Sequence, residues 1–170
     1  MPTLILIRHA KAEAPSDTTG DRDRPLTLEG RTSATQLGVT LKEAGLIPDV
    51  VLVSSALRTQ QTWKLMHPAL ATSDVRFEDE LYETNVAGVR ELLVALDGEP
   101  GIVAVIGHEP TMSATAAHFA GPDSDTPSMQ RIAQGLPTGN AVTLTFDGPW
   151  SALEQHVANL NGIYATRALF

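Results

Sequence analysis

The sequence contains no cysteine, and this absence excludes several kinds of chemistry. Disulfide bonds, thiolate metal sites and a cysteine nucleophile are all ruled out. Positive charge is also scarce, because 12 Lys and Arg stand against 20 Asp and Glu, for a formal net charge of −8. Proteins that bind nucleic-acid backbones present basic surfaces, so we expect no nucleic-acid partner.

Long apolar runs are missing as well, since no stretch approaches the roughly 20 residues that a membrane span needs. The N-terminal apolar stretch is short, and its basic residues follow it, whereas a signal peptide carries them in front. We therefore expect a soluble, intracellular and cytoplasmic protein with no membrane partner.

The length and composition predict one domain with its own core. A chain of 170 residues lies within the size of a single domain, and 42% of its residues are hydrophobic. No repeat, linker or low-complexity tract divides it. We expect a single domain over residues 1–170.

Short apolar runs predict the strands of a parallel sheet. Residues 3–7, 50–53 and 102–106 are continuous β-forming runs, typical of strands buried on both faces, and residues 75–77 form a weaker fourth run. Helical patterns cover residues 28–44, 54–66, 86–96 and 110–121. The alternation predicts an α/β fold, a three-layer α/β/α sandwich with a mostly parallel central sheet.

Capping and turn residues predict where these elements begin and end. Thr27 is a helix cap and Gly45 a stop, Ser54 or Ser55 caps the second helix, and Pro68 lies beyond its end. Residues 121–139 have the composition of a long surface loop with room for a short helical turn. Residues 141–146 and 150–157, joined through Asp147-Gly148, predict a C-terminal hairpin at the sheet edge.

Polar residues follow three of the predicted strands. Arg8 and His9 follow the first, Arg58 lies one helical turn after the second, and His108 follows the third. Open α/β sheets bind ligands outside the carboxyl ends of their strands. The sequence therefore predicts a small positive pocket on an acidic protein.

Such a pocket suits a phosphoryl group. Guanidinium groups bind phosphate oxygens in pairs, a neutral imidazole can attack phosphorus, and a second, charged imidazole can stabilise the equatorial oxygens. Side chains supply the cations, and glycine-rich nucleotide loops are absent. We expect neither a metal ion nor a cofactor.

Three motifs resemble those of the histidine phosphatase (phosphoglycerate-mutase-like) superfamily. Arg8-His9-Ala10 resembles its Arg-His-Gly signature, residues 54–62 its Ser-Pro-x-x-Arg-x-x-x-Thr motif, and residues 107–110 its late Gly-His motif. The short length, Arg-His-Ala-Lys-Ala at residues 8–12 and Arg-Pro-Leu-Thr at residues 24–27 are most similar to the SixA-type phosphohistidine phosphatase branch.

The resemblance implies a role for each site residue. His9 is the nucleophile that becomes phosphorylated, Arg8 and Arg58 clamp the phosphoryl oxygens, and His108 completes the pocket. Glu83 best matches the carboxylate that protonates the leaving oxygen, with Glu80 as its competitor. The implied activity is a metal-independent phosphatase with a phosphohistidine enzyme intermediate.

Leaving-group chemistry favours one substrate class. Imidazole, with an unperturbed pKa of about 6.5, departs without a dedicated acid more readily than an alkoxide. Protein phosphohistidine is therefore the expected substrate and a phosphorylated protein the expected partner. The alternatives are a small-molecule phosphomonoesterase with the same site and a non-catalytic phosphate-binding module.

Two departures from the family motifs bear on the site. Ala10 replaces the common Gly and adds a methyl group near the nucleophile. Glu109 replaces the common Asn, and it can orient His108, raise the pKa of His108, or face water at a helix N-terminus. The segment Asp21-Arg22-Asp23-Arg24 is interpreted as a solvated loop.

Overall fold

The computed structural model describes residues 1–166, in which strands and helices alternate as expected. The strands are β1 (Thr3–Arg8), β2 (Val50–Ser54), β3 (Asp74–Glu78), β4 (Ile102–Gly107), β5 (Ala141–Thr145) and β6 (Asn159–Tyr164). The α-helices are α1 (Leu28–Glu43), α2 (Leu57–Leu70), α3 (Val86–Val94), α4 (Thr111–Phe119) and α5 (Thr126–Ile132).

The strands form one mixed sheet in the order β3-β2-β4-β1-β5-β6. The first four strands in this order are parallel, whereas β5 runs antiparallel to β1, and β6 antiparallel to β5. Arg8 at the end of β1 pairs with Gly107 at the end of β4. The carboxyl ends of β1, β2 and β4 therefore meet at one edge, and the mostly parallel sheet is confirmed.

The sheet separates two hydrophobic cores, and the side chains of β1 contribute to both. Leu4 and Leu6 point to one face, where they pack with α3, α4 and α5. Ile5 and Ile7 point to the other face, where they pack with α1 and α2. Side chains alternate along a strand, so an all-apolar strand must be covered on both sides. The three-layer sandwich follows and is confirmed.

Both predicted boundaries of α1 are confirmed. The hydroxyl oxygen of Thr27 accepts a hydrogen bond from the backbone N–H of Gly30 at 2.9 Å. The helix ends just before Gly45, whose φ of 74° suits a residue without a side chain.

The predicted ends of α2 are wrong in two ways. Neither Ser54 nor Ser55 caps the helix, because Ala56 holds the capping position and the Ser54 hydroxyl bonds to His108 instead. Pro68 lies inside the last turn and not beyond the helix. The chain leaves the helix at Ala71, whose N–H still reaches the oxygen of His67 at 2.7 Å.

The C-terminal edge pair forms, but its second strand is β6 and not residues 150–157. Trp150 accounts for the difference, because its ring is fully buried against Phe146 and its indole N–H donates to the oxygen of Pro100 at 2.7 Å. Burying this side chain bends the chain into a short 3₁₀ turn at Trp150–Ala152. The returning strand begins only afterwards.

The predicted surface loop at residues 121–139 contains a packed helix. Asp125 caps α5 by accepting the N–H of Ser128 at 3.0 Å, and Ile132 is buried in the core. No helix in the described part of the chain is both long enough and apolar enough to cross a bilayer.

Candidate active site

His9 lies directly after β1, with only 7% of its surface exposed. Its backbone N–H donates to the oxygen of Gly107 at 3.1 Å, which ties it to the end of β4. Its Nδ1 lies 2.7 Å from the backbone oxygen of Ala10. A carbonyl oxygen only accepts, so Nδ1 carries the proton and Nε2 of the neutral ring keeps a free electron pair.

The surroundings of His9 keep its ring neutral. Burial, together with Arg58 and Arg8, lowers the pKa of His9 to about 4 against the opposing effect of the hydrogen bond to Ala10. At neutral pH the electron pair on Nε2 is therefore available. A neutral, buried imidazole beside two guanidinium groups can act as a nucleophile toward an anion.

Arg58 lies in the first turn of α2 and is 6% exposed. Its Nη1 donates to the backbone oxygen of Asp21 at 2.8 Å, and its Nη2 donates to Oδ2 of Asp21 at 3.2 Å. The hydroxyl of Thr62 donates to the oxygen of Arg58 at 2.7 Å and accepts from the N–H of Ala10 at 3.1 Å. Thr62 thus joins the first two motifs.

Asp21 lies in the largely exposed segment 21–24, as expected of a solvated loop, but its side chain also contacts the site. Its carboxylate accepts hydrogen bonds from the Tyr82 hydroxyl, from Arg58 and from Nε of Arg24 at 3.0 Å. The Tyr82 hydroxyl and the two guanidinium groups hold the pKa of Asp21 below its usual value. The carboxylate is therefore ionised, and it places a negative charge beside the pocket.

Tyr82 forms one wall of the site, and sequence reasoning missed it. Its ring meets the His108 ring edge-on at 5.7 Å between centroids, and the guanidinium of Arg22 lies 4.5 Å from its ring centre. Tyr82 is 61 residues from Asp21 and has no distinctive local pattern. Only the folded chain brings these residues together.

His108 follows β4, and its ring centroid lies 5.4 Å from that of His9. Its Nε2 is hydrogen-bonded to the hydroxyl of Ser54 at 2.8 Å. Burial, together with the charges of Arg58 and His9, lowers the pKa of His108 to about 3. These surroundings favour a neutral ring at neutral pH, whereas the sequence led us to expect a charged second imidazole.

Arg8 directs its Nη1 to the backbone oxygen of Leu136 at 3.1 Å. Within residues 1–166, three buried nitrogens at this site have no hydrogen-bond partner, namely Nε of Arg8, Nε of Arg58 and Nδ1 of His108. Buried polar groups in native proteins are nearly always paired. Unpaired N–H donors of this kind are chemically suited to the oxygens of an anion.

Glu83 stands apart from this arrangement. Four of the five predicted site residues come together: Arg8, His9, Arg58 and His108. Glu83 precedes α3 with its side chain exposed, and it takes no part in the hydrogen bonds that join the others. Its competitor Glu80 is exposed as well.

The two departures from the family motifs have structural explanations. The Ala10 methyl group is fully buried in a small cluster with Leu26 and Ala34 and does not narrow the pocket. Glu109 does not bond to His108. Its carboxylate accepts hydrogen bonds from the N–H of Ser113 at 2.7 Å and from the N–H of Leu136 at 2.9 Å.

The described side chains of the site do not form a metal centre. Among the residues that the structure describes, no three His, Asp or Glu side chains lie close enough together to hold a metal ion. The positive charge of the site comes from its arginines.

Comparison with known proteins identifies the family of the chain. Residues 4–94 match the model of the histidine phosphatase superfamily (branch 1). An uncharacterized protein of Mycobacterium leprae is 30% identical over 164 residues, which cover 95% of this chain and 100% of that protein.

Solved structures extend the similarity to the whole fold. A structure assigned as the phosphohistidine phosphatase SixA from Nakamurella multipartitia is 31% identical, with a TM-score of 0.84 over 96% of this chain and 95% of that one. The structure of the protein histidine phosphatase SixA complexed with tungstate is 25% identical, with a TM-score of 0.78 over 96% of each chain.

Proposed function

The chain belongs to branch 1 of the histidine phosphatase superfamily and is a phosphatase of the SixA type; we propose that it dephosphorylates histidine side chains of proteins through a phosphorylated His9. The main support is the set of unpaired buried nitrogens on Arg8, Arg58 and His108 beside the free Nε2 of His9. They offer hydrogen bonds to the oxygens of a phosphoryl group whose phosphorus meets the nucleophile.

The reaction proceeds in two displacements. The electron pair on Nε2 of His9 forms a bond to phosphorus, while the phosphorus–nitrogen bond of the substrate breaks and its electron pair stays on the leaving imidazole. The substrate ring carries a proton on its other nitrogen before the bond breaks, so it departs as neutral imidazole and needs no proton from an acid. A water oxygen then attacks the phosphorus of phosphorylated His9, the electron pair returns to Nε2, and the water proton passes to solvent.

Neutral His108 contributes without carrying a charge. When the Ser54 hydroxyl donates to Nε2 of His108, the ring proton sits on Nδ1, the nitrogen that has no partner within the described residues. This N–H then donates to a phosphoryl oxygen. Two arginines and one neutral imidazole thus surround the anion.

Asp21 supplies no proton at neutral pH, because Tyr82, Arg58 and Arg24 hold its pKa below the usual value. The Glu109 carboxylate is occupied by hydrogen bonds from Ser113 and Leu136. An alkoxide leaving group needs a proton as it departs, whereas imidazole does not. A site without a ready acid therefore favours phosphoramidates, the class to which phosphohistidine belongs.

The rim of the site suits a protein substrate. Asp79 and Arg22, which pair at 3.3 Å beside Tyr82, have side chains that are 83% and 48% exposed. A phosphohistidine on a protein surface reaches the pocket without having to be enclosed.

The test is to trap the intermediate. The full chain, in chelator, is mixed with a protein chemically phosphorylated on histidine, quenched at alkaline pH, and digested for mass spectrometry. We expect an acid-labile phosphoryl group on His9 and loss of turnover by about a thousandfold or more in His9→Ala. Full turnover in His9→Ala contradicts the mechanism, and phosphate binding without turnover favours a non-catalytic module.

The alternative substrate class, small alkyl phosphates with Glu83 as the proton donor, can be tested with one variant. Glu83 is adjacent in sequence to Tyr82, whose ring meets that of His108 at 5.7 Å between centroids, so a role for Glu83 with alkyl phosphates can be tested directly. If the enzyme is a small-molecule phosphomonoesterase, Glu83→Gln slows alkyl phosphates and spares phosphoramidates. Under the phosphohistidine proposal, Glu83→Gln leaves phosphoramidate turnover unchanged, and parent turnover of phosphoramidates exceeds that of alkyl phosphates.

A further inference from the structure

We propose that Glu109 is a positioning residue that sets the direction of the Arg8 guanidinium through the backbone of Leu136. The inference rests on the proposed role of Arg8 in binding the phosphoryl group. No hydrogen bond joins Glu109 to Arg8 among the described residues, so its positioning effect passes through the residue that lies between the two side chains.

The connection consists of two hydrogen bonds to one residue. The N–H of Leu136 donates to Oε2 of Glu109 at 2.9 Å. The C=O of Leu136 accepts from Nη1 of Arg8 at 3.1 Å. The backbone of Leu136 is thus held by the carboxylate on one side and holds the guanidinium on the other.

The carboxylate is itself fixed to α4. Its Oε1 accepts the N–H of Ser113 at 2.7 Å, and its Oε2 accepts the Ser113 hydroxyl at 2.7 Å. Gly135 allows the close approach of the Leu136 segment, because its φ is 98° and a Cβ there would stand 3.3 Å from Oε2. The Leu136 side chain, 1% exposed, anchors the segment in the core.

The hydrogen bond to Leu136 determines which part of Arg8 faces an anion. A guanidinium carries its donors in a rigid, planar fork. With Nη1 engaged at Leu136, the edge formed by Nε and Nη2 remains, and Nε is buried without a partner among residues 1–166. That edge has the geometry for two parallel hydrogen bonds to an oxyanion.

Charge and position make opposite contributions to anion binding. The negative charge of Glu109 repels an oxyanion, so removing the charge alone strengthens binding. The hydrogen bond to Leu136 keeps Arg8 aligned, so removing it weakens binding. The sign of the change therefore separates positioning from electrostatics.

The experiment measures tungstate affinity of the full chain by calorimetry at neutral pH. Glu109→Ala loses both the charge and the hydrogen bond, and we expect a Kd about tenfold to a hundredfold weaker. Glu109→Gln keeps an oxygen for Leu136, so its Kd stays within about threefold of the parent or tightens. Glu109→Asp keeps the charge but withdraws the oxygen, and it serves in place of Glu109→Ala if that variant fails to fold, with weakening again expected.

Asp125 provides a matched control. It accepts hydrogen bonds from the N–H and hydroxyl of Ser128 at the start of α5, just as Glu109 does from Ser113, and the structure gives it no contact with Leu136 among the described residues. Asp125→Ala therefore removes a charge and a helix cap while leaving tungstate affinity unchanged. An equal loss in Asp125→Ala and Glu109→Ala overturns the proposal.

Coupling to Arg8 completes the test. In an Arg8→Ala background, Glu109→Ala causes no further loss of tungstate affinity if it acts through Arg8, whereas full additivity overturns the inference. If Arg8→Ala weakens tungstate binding but Glu109→Ala does not, only the role of Glu109 is wrong. If Arg8→Ala binds tungstate as tightly as the parent, the proposed phosphoryl site is wrong, and the inference falls with it.

Discussion

Arg58 donates both of its terminal nitrogens to Asp21, one to the backbone oxygen at 2.8 Å and one to the carboxylate at 3.2 Å. These bonds use two of the five N–H donors of the guanidinium, and Nε is buried without a partner within residues 1–166. Asp21 therefore does two things at once, because it fixes the direction of the guanidinium and partly neutralises its charge. Preorganisation and charge compensation can be separated by changing the charge alone.

The first prediction concerns the charge of Asp21. Asp21→Asn keeps a side-chain oxygen for Arg58 and removes the negative charge, so the potential in the pocket becomes more positive. We expect tungstate affinity to rise about threefold to tenfold at low ionic strength, and the gain to shrink in salt. Calorimetry at two salt concentrations measures both effects, and weaker binding at both would show that the carboxylate chiefly positions Arg58.

The second prediction concerns protonation of the two site histidines. Their pKa values of about 4 for His9 and about 3 for His108 mean that both rings stay neutral at pH 5.5. An unperturbed imidazole, with a pKa of about 6.5, is mostly charged at that pH. Nitrogen-15 NMR of the imidazole rings measures this directly, and midpoints near 6.5 for both residues would contradict the described environment.

The same depressed values set the acid limits of activity and stability. The nucleophilic form of His9 is present above pH 4 and is lost as the pH falls through about 4, so kcat/KM declines there once substrate ionisation is accounted for. Below pH 6.5 the unfolded chain binds protons that the folded site excludes, so the free energy of unfolding falls from pH 6.5 toward pH 4. His108→Asn removes one such group, and we expect its Tm to decline less over this interval.

Another prediction tests the link between the first two motifs. Thr62→Val keeps the shape of a fully buried side chain but leaves the N–H of Ala10 without its partner. We expect a loss of about 1–3 kcal/mol in the free energy of unfolding. For a chain of this size, each 1 kcal/mol lowers Tm by roughly 2–4 °C, which calorimetry resolves.

Thr115 is the matched control for Thr62. It is also fully buried, but its hydroxyl oxygen has no hydrogen-bond partner within residues 1–166. Replacing an unpaired buried hydroxyl with a methyl group removes a desolvation cost. Thr115→Val therefore leaves Tm unchanged or raises it, and an equal loss of stability in both variants would show that the hydroxyl of Thr62 has no special role.

Much of the fold could be predicted because the signals are local and strong. The apolar run at the N-terminus has no polar face, and a strand of this kind is stable only between two layers of helices. Once the strands are parallel, their carboxyl ends share one edge, and Arg8, His9 and His108 must meet there. The location of these residues directly after predicted strands was therefore enough to predict that they lie close together.

The remaining features depend on contacts between residues far apart in the chain. Asp21 meets Arg58 across 37 residues, and Arg8 meets Leu136 across 128, with no periodic pattern to mark either pair. Residues 150–157 have a composition that favours a strand, but the buried ring of Trp150 is accompanied by a 3₁₀ turn at Trp150–Ala152. Ser54 has the composition of a helix cap, yet its hydroxyl is used by His108.

The arrangement of the sheet separates two parts of the enzyme. His9, the proposed nucleophile, and its neighbour His108 follow β1 and β4, the adjacent strands in the middle of the sheet, whereas Tyr82 and Asp79 follow β3 at its border. Local opening of a border strand costs less free energy than opening the middle, so the amides near the nucleophile should exchange with solvent most slowly. Substitutions at that border are therefore expected to change which molecules reach the site while leaving the strands that carry His9 and His108 undisturbed.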